Sequence, residues 1–397
     1  MTVPNGLRDG PVYLDYNATT PVDPRVVQAC LPYLVEHFGN PSSDHAYGRT
    51  AHAAVADARA AVADLIDCAA HEIVFTGGGS DSDTLAIRGA ALAHRHRGTH
   101  LITQATEHPA VLATMDALRR LHGFRVTHLP VDRYGLVNPN DLEAALTDDT
   151  VVVSIMHANG ETGTIQPIRE LADLAHARGA LFHTDASQTV GKIPVSVADL
   201  GVDLLTVTGH KMYAPKGIGA LYVHTGLDLE STIYGGGQEH GRRAGTENVA
   251  LIVAIGHAAR LTARTAARTA EETQTLRRLR DLLHHRLTEP LPGRVRLNGH
   301  PTHRLPNTLN VSIDGISARH LLAATPQVAA STGSACHEGM DQPSPVLMAM
   351  GLPTDRARSA LRLTLGRWST DPDIDHAATA LTTAVTTTGR PASARHG

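Results

Sequence analysis

Lysine is nearly absent from this chain of 397 residues: only Lys192, Lys211 and Lys216 occur, and the remaining 32 of the 35 basic residues are arginine. Such a bias would place arginine wherever a positive charge alone is enough. A retained lysine is then a candidate for work that needs an amine, because guanidinium stays protonated whereas an amine can lose its proton and form a Schiff base. Cysteine is equally scarce, with Cys30, Cys68 and Cys336 at no metal-ligand spacing. That argues against a disulfide scaffold and leaves each as a free thiol. No apolar run approaches the ~18 residues that cross a membrane, and the opening residues lack the apolar core of a signal peptide. A soluble, cytoplasmic protein without a membrane partner is expected. With a net charge of −4 and no block of like charge, direct nucleic-acid binding is not expected. Histidine is frequent, at 25 residues, yet His94 with His96 and His284 with His285 lie in arginine-rich stretches without a third ligand. No metal site is expected.

What is present is regular. From Glu72 onward, short apolar runs at 73–76, 100–103, 126–131, 151–157, 181–185, 204–208 and 219–223 mostly alternate with helical stretches. The alternation predicts an α/β domain with a largely parallel sheet covered on both faces, whose ligands gather beyond the strand carboxyl ends. After Tyr234 the glycine-rich YGGGQEHGRRAGTENV leads into long helical sequence, where Leu276, Leu279, Leu283 and Leu287 recur at helical spacing. Short strands around 295–297, 309–313 and 361–365 then predict a smaller α+β domain. The expected division is a large domain over 16–265 and a small one from 1–15 and 266–397.

The informative residues stand at the ends of those runs. IVFTGGGSDSDTLAIRGA passes from strand through three glycines into a helix, leaving Ser80 and bare amides where an anion is favoured. It is not the Walker pattern, since no Gly-Lys-Ser/Thr follows. TEHPAV sets His108 to lie against a flat ligand. LFHTDASQTVGK puts Asp185 at a strand tip with Gln188 just beyond, and TVTGHKMYAPKG presents Lys211 behind Gly209 and His210. A phosphate loop, a flat ring, a buried carboxylate and an amine together fit pyridoxal phosphate, which carries a phosphate, an aromatic ring, a pyridine nitrogen and an aldehyde. Cys336 lies among small residues and glycines in VAASTGSACHEGMDQPSP, next to His337. Such a setting suits an exposed, reactive thiol better than a packed one.

Here the sequence resembles the NifS/IscS type of cysteine desulfurase, within the class V aminotransferase fold. The likeness runs from YLDYNATTPVDPRV to LRLTLGRWST and includes GNPSS, TEHPAV, VSIMHANGETG, TDASQTVGK, TGHKMYAPKGIGALYV, GGGQEHGRRAGTENV and GSAC. The resemblance implies fold type I of the pyridoxal-phosphate enzymes, with a mostly parallel seven-stranded sheet. It implies that Lys211 carries the cofactor, Asp185 pairs with the ring nitrogen, Gln188 contacts the ring oxygen and His108 stacks on the ring. It also implies that Gly79, Ser80, Thr208 and His210 surround the phosphate, with Thr246 reaching across from a second subunit of a homodimer. Arg362 resembles the residue that grips the substrate carboxylate, a bidentate role lysine fills less well.

The implied reaction has L-cysteine displace Lys211, whose freed amine takes the Cα proton. Cys336 then attacks the substrate sulfur, leaving a persulfide for a sulfur-acceptor or scaffold protein and releasing L-alanine. Two positions depart from the family pattern: Gly79 and Ser80 stand where Ala-Thr is usual, and Asn159 is followed by Gly160 where two asparagines are usual. The second departure leaves Asn159 as the candidate for the cofactor- and substrate-facing side chain. Selenocysteine lyase or another class V reaction is the alternative on the same cofactor, though an aminotransferase has no use for Cys336. A sulfur carrier without turnover has no use for Lys211, Asp185 and Arg362.

Overall fold

The computed structural model of the protein describes residues 2–263, 266–333 and 343–388. After β1 (Val12–Tyr13), the seven apolar runs become β2 (Ile73–Thr76), β3 (His100–Gln104), β4 (Arg125–Leu129), β5 (Thr150–Ser154), β6 (Leu181–Asp185), β7 (Leu204–Thr208) and β8 (Gly219–Val223). They form one sheet in the order β2-β8-β7-β6-β5-β3-β4. Every residue of β2, β3, β5, β7 and β8 is buried. Helices on both faces impose that, which is why these strands read as unbroken apolar runs instead of alternating ones. The edge strand β4 differs, exposing Arg125 and His128; charge on an edge discourages pairing with another sheet.

Only β8 runs against its neighbours β2 and β7; the remaining pairings are parallel. Six carboxyl ends therefore share one rim, where Thr76, Gln104, Ser154, Asp185 and Thr208 finish their strands. The run at 151–157 ends as a strand at Ser154, yet His157 still donates its amide to the Asp185 carbonyl at 2.9 Å. The chain turns away after that because Asn159 gathers the next amides into a tight loop, closed by the Ala158–Ile165 bridge.

Small residues allow the helix Ala46–Ile66 to lie close against the helix Val249–Ala263. A β-carbon on Gly256 would fall 2.5 Å from the Ala58 Cα, so the crossing requires glycine there. The first of these helices opens with His45 Nδ1 accepting from the Gly48 amide at 3.3 Å as an N-cap.

A second sheet, β12 (Ala360–Thr364) beside β10 (Thr308–Ile313) beside β9 (Val295–Leu297), is antiparallel. Its core includes the predicted leucine stripe, Leu276, Leu279, Leu283 and Leu287, each at most 7% exposed. Burying side chains of that size stabilises by roughly 1.5–3 kcal/mol each. Leu14 joins this same core, because β1 pairs in parallel with β11 (Val328–Ala329). A two-residue strand leaves no periodicity to read, and this pairing was not apparent from the sequence. Among the described residues no helix is long and apolar enough to cross a membrane.

Candidate active site

Lys211 closes a short turn, Gly209–Lys211, at the end of β7. Its Nζ donates to the Asn17 carbonyl and, at 2.8 Å, to that of Ala18. The same N-terminal strap holds the rest of the turn: Thr20 donates its amide to the His210 carbonyl at 2.9 Å, and its Oγ1 accepts from the Tyr213 amide at 3.0 Å. His210 Nδ1 lies 3.1 Å from Thr19 Oγ1. Burial, followed by the charge of Lys211, draws the His210 imidazole down to about 4, so it is neutral at ordinary pH.

Two residues past the lysine, Tyr213 sits at φ 67°, a left-handed conformation that costs a bulky residue roughly 1–3 kcal/mol. Arg367 holds it there, with its guanidinium 4.1 Å over the Tyr213 ring and its amide donating to the phenol oxygen at 2.8 Å. Trp368 meets the ring edge-on, while Arg367 is itself fixed by Asp23 at 3.0 Å and Glu272 at 3.3 Å. The lysine turn is thus gripped from both sides.

Asp185 ends β6, 8% exposed, and its Oδ1 accepts from the Ser187 amide at 2.9 Å. Two other carboxyls are buried near it. Burial, with the negative charge of Asp185 adding to it, lifts Asp83 well above the usual range and Glu107 to about 8. Both are pushed toward the neutral form, which eases the crowding of the Asp185 carboxylate by two further acids. Behind it His183 bridges Ser154 Oγ at 2.8 Å and Thr206 Oγ1 at 3.1 Å.

His108 caps the helix Pro109–His122, with its Nδ1 accepting from the Ala110 amide at 3.2 Å. Its ring still meets solvent, but desolvation by the cleft walls lowers its pKa, with Asp185 and Lys211 close enough to pull in opposite directions. The imidazole therefore lies within electrostatic reach of both the carboxylate and the amine. Gln188 enters the same place, donating Nε2 to the Asn17 carbonyl at 3.1 Å.

The glycine loop after β2 opens the helix Gly79–Ala93 at the neighbouring strand end. A β-carbon at Gly79 would run into Thr208 Oγ1, which is itself 2.7 Å from Ser187 Oγ. Glycine, in place of the alanine usual in the family, suits the hydroxyl pressed against it. Asp81 Oδ2 takes the Gly77 amide at 2.7 Å and the Arg243 guanidinium at 3.3 Å. Arg243 brings a cation to the loop that the sequence reading missed; its place in GRRAGTEN was the available signal. Bare helix-terminal amides, Ser80, Thr208 and neutral His210 are the donor set a phosphate needs. With the amine, carboxylate and imidazole beside them, these residues fit pyridoxal phosphate.

Arg362 lies buried on β12 and donates Nη2 to Asp15 Oδ1 at 2.7 Å. Its Nε has no hydrogen-bond partner among the described residues. Asp15 was not singled out from the sequence. Asn159 requires a correction. Its amide is 3% exposed and is spent within the loop, giving Nδ2 to the Thr106 carbonyl at 3.0 Å and taking the Glu161 and Thr162 amides, each at 2.9 Å, on Oδ1. It has nothing left for a substrate or a ring. Thr246 is exposed, and Cys336 lies outside the described residues.

Residues 12–376 match the aminotransferase class-V family. A protein described as cysteine desulfurase IscS, from Methanosarcina thermophila, is 47% identical over 366 residues, covering 92% of this chain and 89% of the relative. A solved NifS-like protein superposes with a TM-score of 0.88 at 34% identity, over 95% of this chain and 100% of the other. A structure described as SspA in complex with cysteine superposes with a TM-score of 0.78 at 34% identity, over 90% and 99%.

Proposed function

The chain belongs to the class-V aminotransferase family, and from that membership we infer that it is a pyridoxal-phosphate-dependent cysteine desulfurase, converting L-cysteine to L-alanine. The observation that carries the reading is the meeting of the Lys211 amine with Asp185 and His108 in one strand-end cleft. When bound there, pyridoxal phosphate supplies an aldehyde that an amine can capture and a ring that withdraws charge from the substrate's Cα.

The chain's own residues have separable tasks in this proposal. Ser80, Thr208, His210 and the amides at Gly79 would hold the phosphate. Asp185 would pair with the ring nitrogen, Gln188 would donate to the ring oxygen, and His108 would lie against the ring. Arg362 grips the substrate carboxylate through its fork, oriented by Asp15. Lys211 Nζ takes the Cα proton and later returns a proton to the three-carbon product. The Cys336 thiolate attacks the substrate sulfur: the new S–S bond forms as the Cβ–S bond breaks, and its electron pair leaves with carbon. The persulfide on Cys336 then passes its outer sulfur to an acceptor protein.

Thr246, exposed in the single chain, supports a homodimer in which it completes the neighbouring phosphate site. The exposed apolar side chains Val27, Leu31, Leu34, Val35, Phe38 and Tyr47 suit burial against a second copy. Purified protein given L-cysteine and a thiol reductant is expected to release sulfide and alanine in equal amounts. Alanine formation with selenocysteine but none with cysteine would make it a selenocysteine lyase instead, and turnover of neither would overturn the reading.

A further inference from the structure

Of the three lysines, Lys211 is absorbed by the site above and Lys216 is exposed. Lys192 is 9% exposed and buried in a chain that otherwise uses arginine for cations. Among the described residues no carboxylate lies within ion-pair distance of it. Its Nζ instead donates to two oxygens of a single residue, the side-chain Oε1 of Gln188 at 2.9 Å and the Gln188 carbonyl at 3.1 Å.

A carboxamide has unlike ends, an oxygen that accepts and a nitrogen that donates. With Oε1 on the ammonium, Nε2 must point the other way, and it lies 3.1 Å from the Asn17 carbonyl that also receives Lys211. Flipping the amide would set NH2 against ammonium at one end and oxygen against carbonyl oxygen at the other. Gly160 makes the arrangement possible, since a β-carbon there would come within 2.9 Å of Nε2 and 3.3 Å of Cδ. Where the family usually has asparagine, this chain leaves room for the amide.

We propose that Lys192 is a positioning residue: its buried ammonium pins the oxygen of the Gln188 carboxamide so that the amide nitrogen faces the cofactor's ring oxygen. The direction Gln188 faces rests on the desulfurase reading; the pairing of Lys192 with Gln188 does not. Arginine cannot replace it, because a broad planar fork does not fit where one compact donor meets two oxygens four residues back. Burial, with the charges of Lys211 and Arg362 adding to it, brings the Lys192 amine down to about 7, and the neutral amine still has two N–H bonds for the two Gln188 oxygens. Glu272 lines the same small cavity as Lys192.

An amide nitrogen aimed at the ring oxygen favours that oxygen's anionic form, so losing the pin moves a spectroscopic titration. In the loaded enzyme, Lys192→Met is expected to raise the midpoint at which the visible cofactor band titrates by roughly 0.5–1 pH unit, the equivalent of one modest hydrogen bond. In a Gln188→Ala background the same substitution is expected to move it no further. No shift in the first case, or an equal shift in both, overturns the proposal. Should Lys192→Met fail to fold, the three lysines allow a second measurement on protein labelled with nitrogen-15 lysine. The Lys192 Nζ resonance, assigned by elimination with Lys216→Arg and Lys211→Ala, is expected to move in Gln188→Leu while that of Lys216 stays; an unmoved Lys192 signal overturns the pairing. Absence of any visible band in the wild type would instead count against the functional reading, and leaves the nitrogen-15 result standing.

Discussion

Arg362 and Asp15, 347 positions apart in the chain, meet through a 2.7 Å bond from Nη2 to Oδ1. Both are largely buried, and burial raises the Asp15 pKa even though Arg362 opposes it. The carboxylate fixes one arm of the guanidinium and leaves Nε available.

Arg362→Lys should therefore keep the cofactor colour while raising KM for cysteine, for a loss in kcat/KM of about 10–100-fold, because one point charge cannot reproduce a planar fork. Steady-state kinetics with cysteine would show it. A KM equal to that of the wild type would remove Arg362 from the substrate carboxylate.

Lys211→Ala should abolish the visible band of the lysine-bound cofactor and lower turnover by at least about 10³-fold, in keeping with loss of a residue that both attaches and transfers protons. Absorbance of the purified variant is the check, and an unchanged spectrum would contradict the assignment.

Cys336→Ser should keep the colour, since the proposed site assigns Cys336 no part in holding the cofactor, yet release no sulfide above background from cysteine. Sulfur-35 cysteine followed by gel autoradiography separates the outcomes. Label retained on the variant protein would mean that another thiol carries the sulfur.

Glu107 makes stability depend on pH. Its folded pKa is raised to about 8 from an ordinary 4.5, so the folded chain keeps a proton that the unfolded chain has already lost. Stability is highest below 4.5, declines as pH climbs toward 8 and levels off above that. Glu107→Gln should match the wild type near pH 5 and exceed it near pH 8, by roughly a few kcal/mol at most. Denaturant melts at the two pH values decide; parallel losses in both proteins would place the proton elsewhere.

β2, β3, β5, β7 and β8 were legible because full burial on both faces turns each into a short unbroken apolar run, bounded by turns and helices. Asp185, Gln188, His108 and Lys211 stand out as candidates for a related reason: each lies at the end of such a run or within the few residues beyond it. Asp15, Arg243 and Lys192 were not, because what makes them matter is a partner brought close by tertiary folding, or a carboxamide whose orientation no pattern encodes. Asn159 was misread for the converse reason. Its identity suited a ring-facing role, but the loop's own amides claim the side chain.

The strap from Leu14 to Thr20 bonds to the lysine turn at one end and to Thr364 on β12 at the other. A ribosome makes Ala18 193 positions before Lys211, and Asn17 347 positions before Thr364. The Lys211 amine consequently meets its two carbonyls by a long-range closure, and the strap's second anchor, on β12, is made later still.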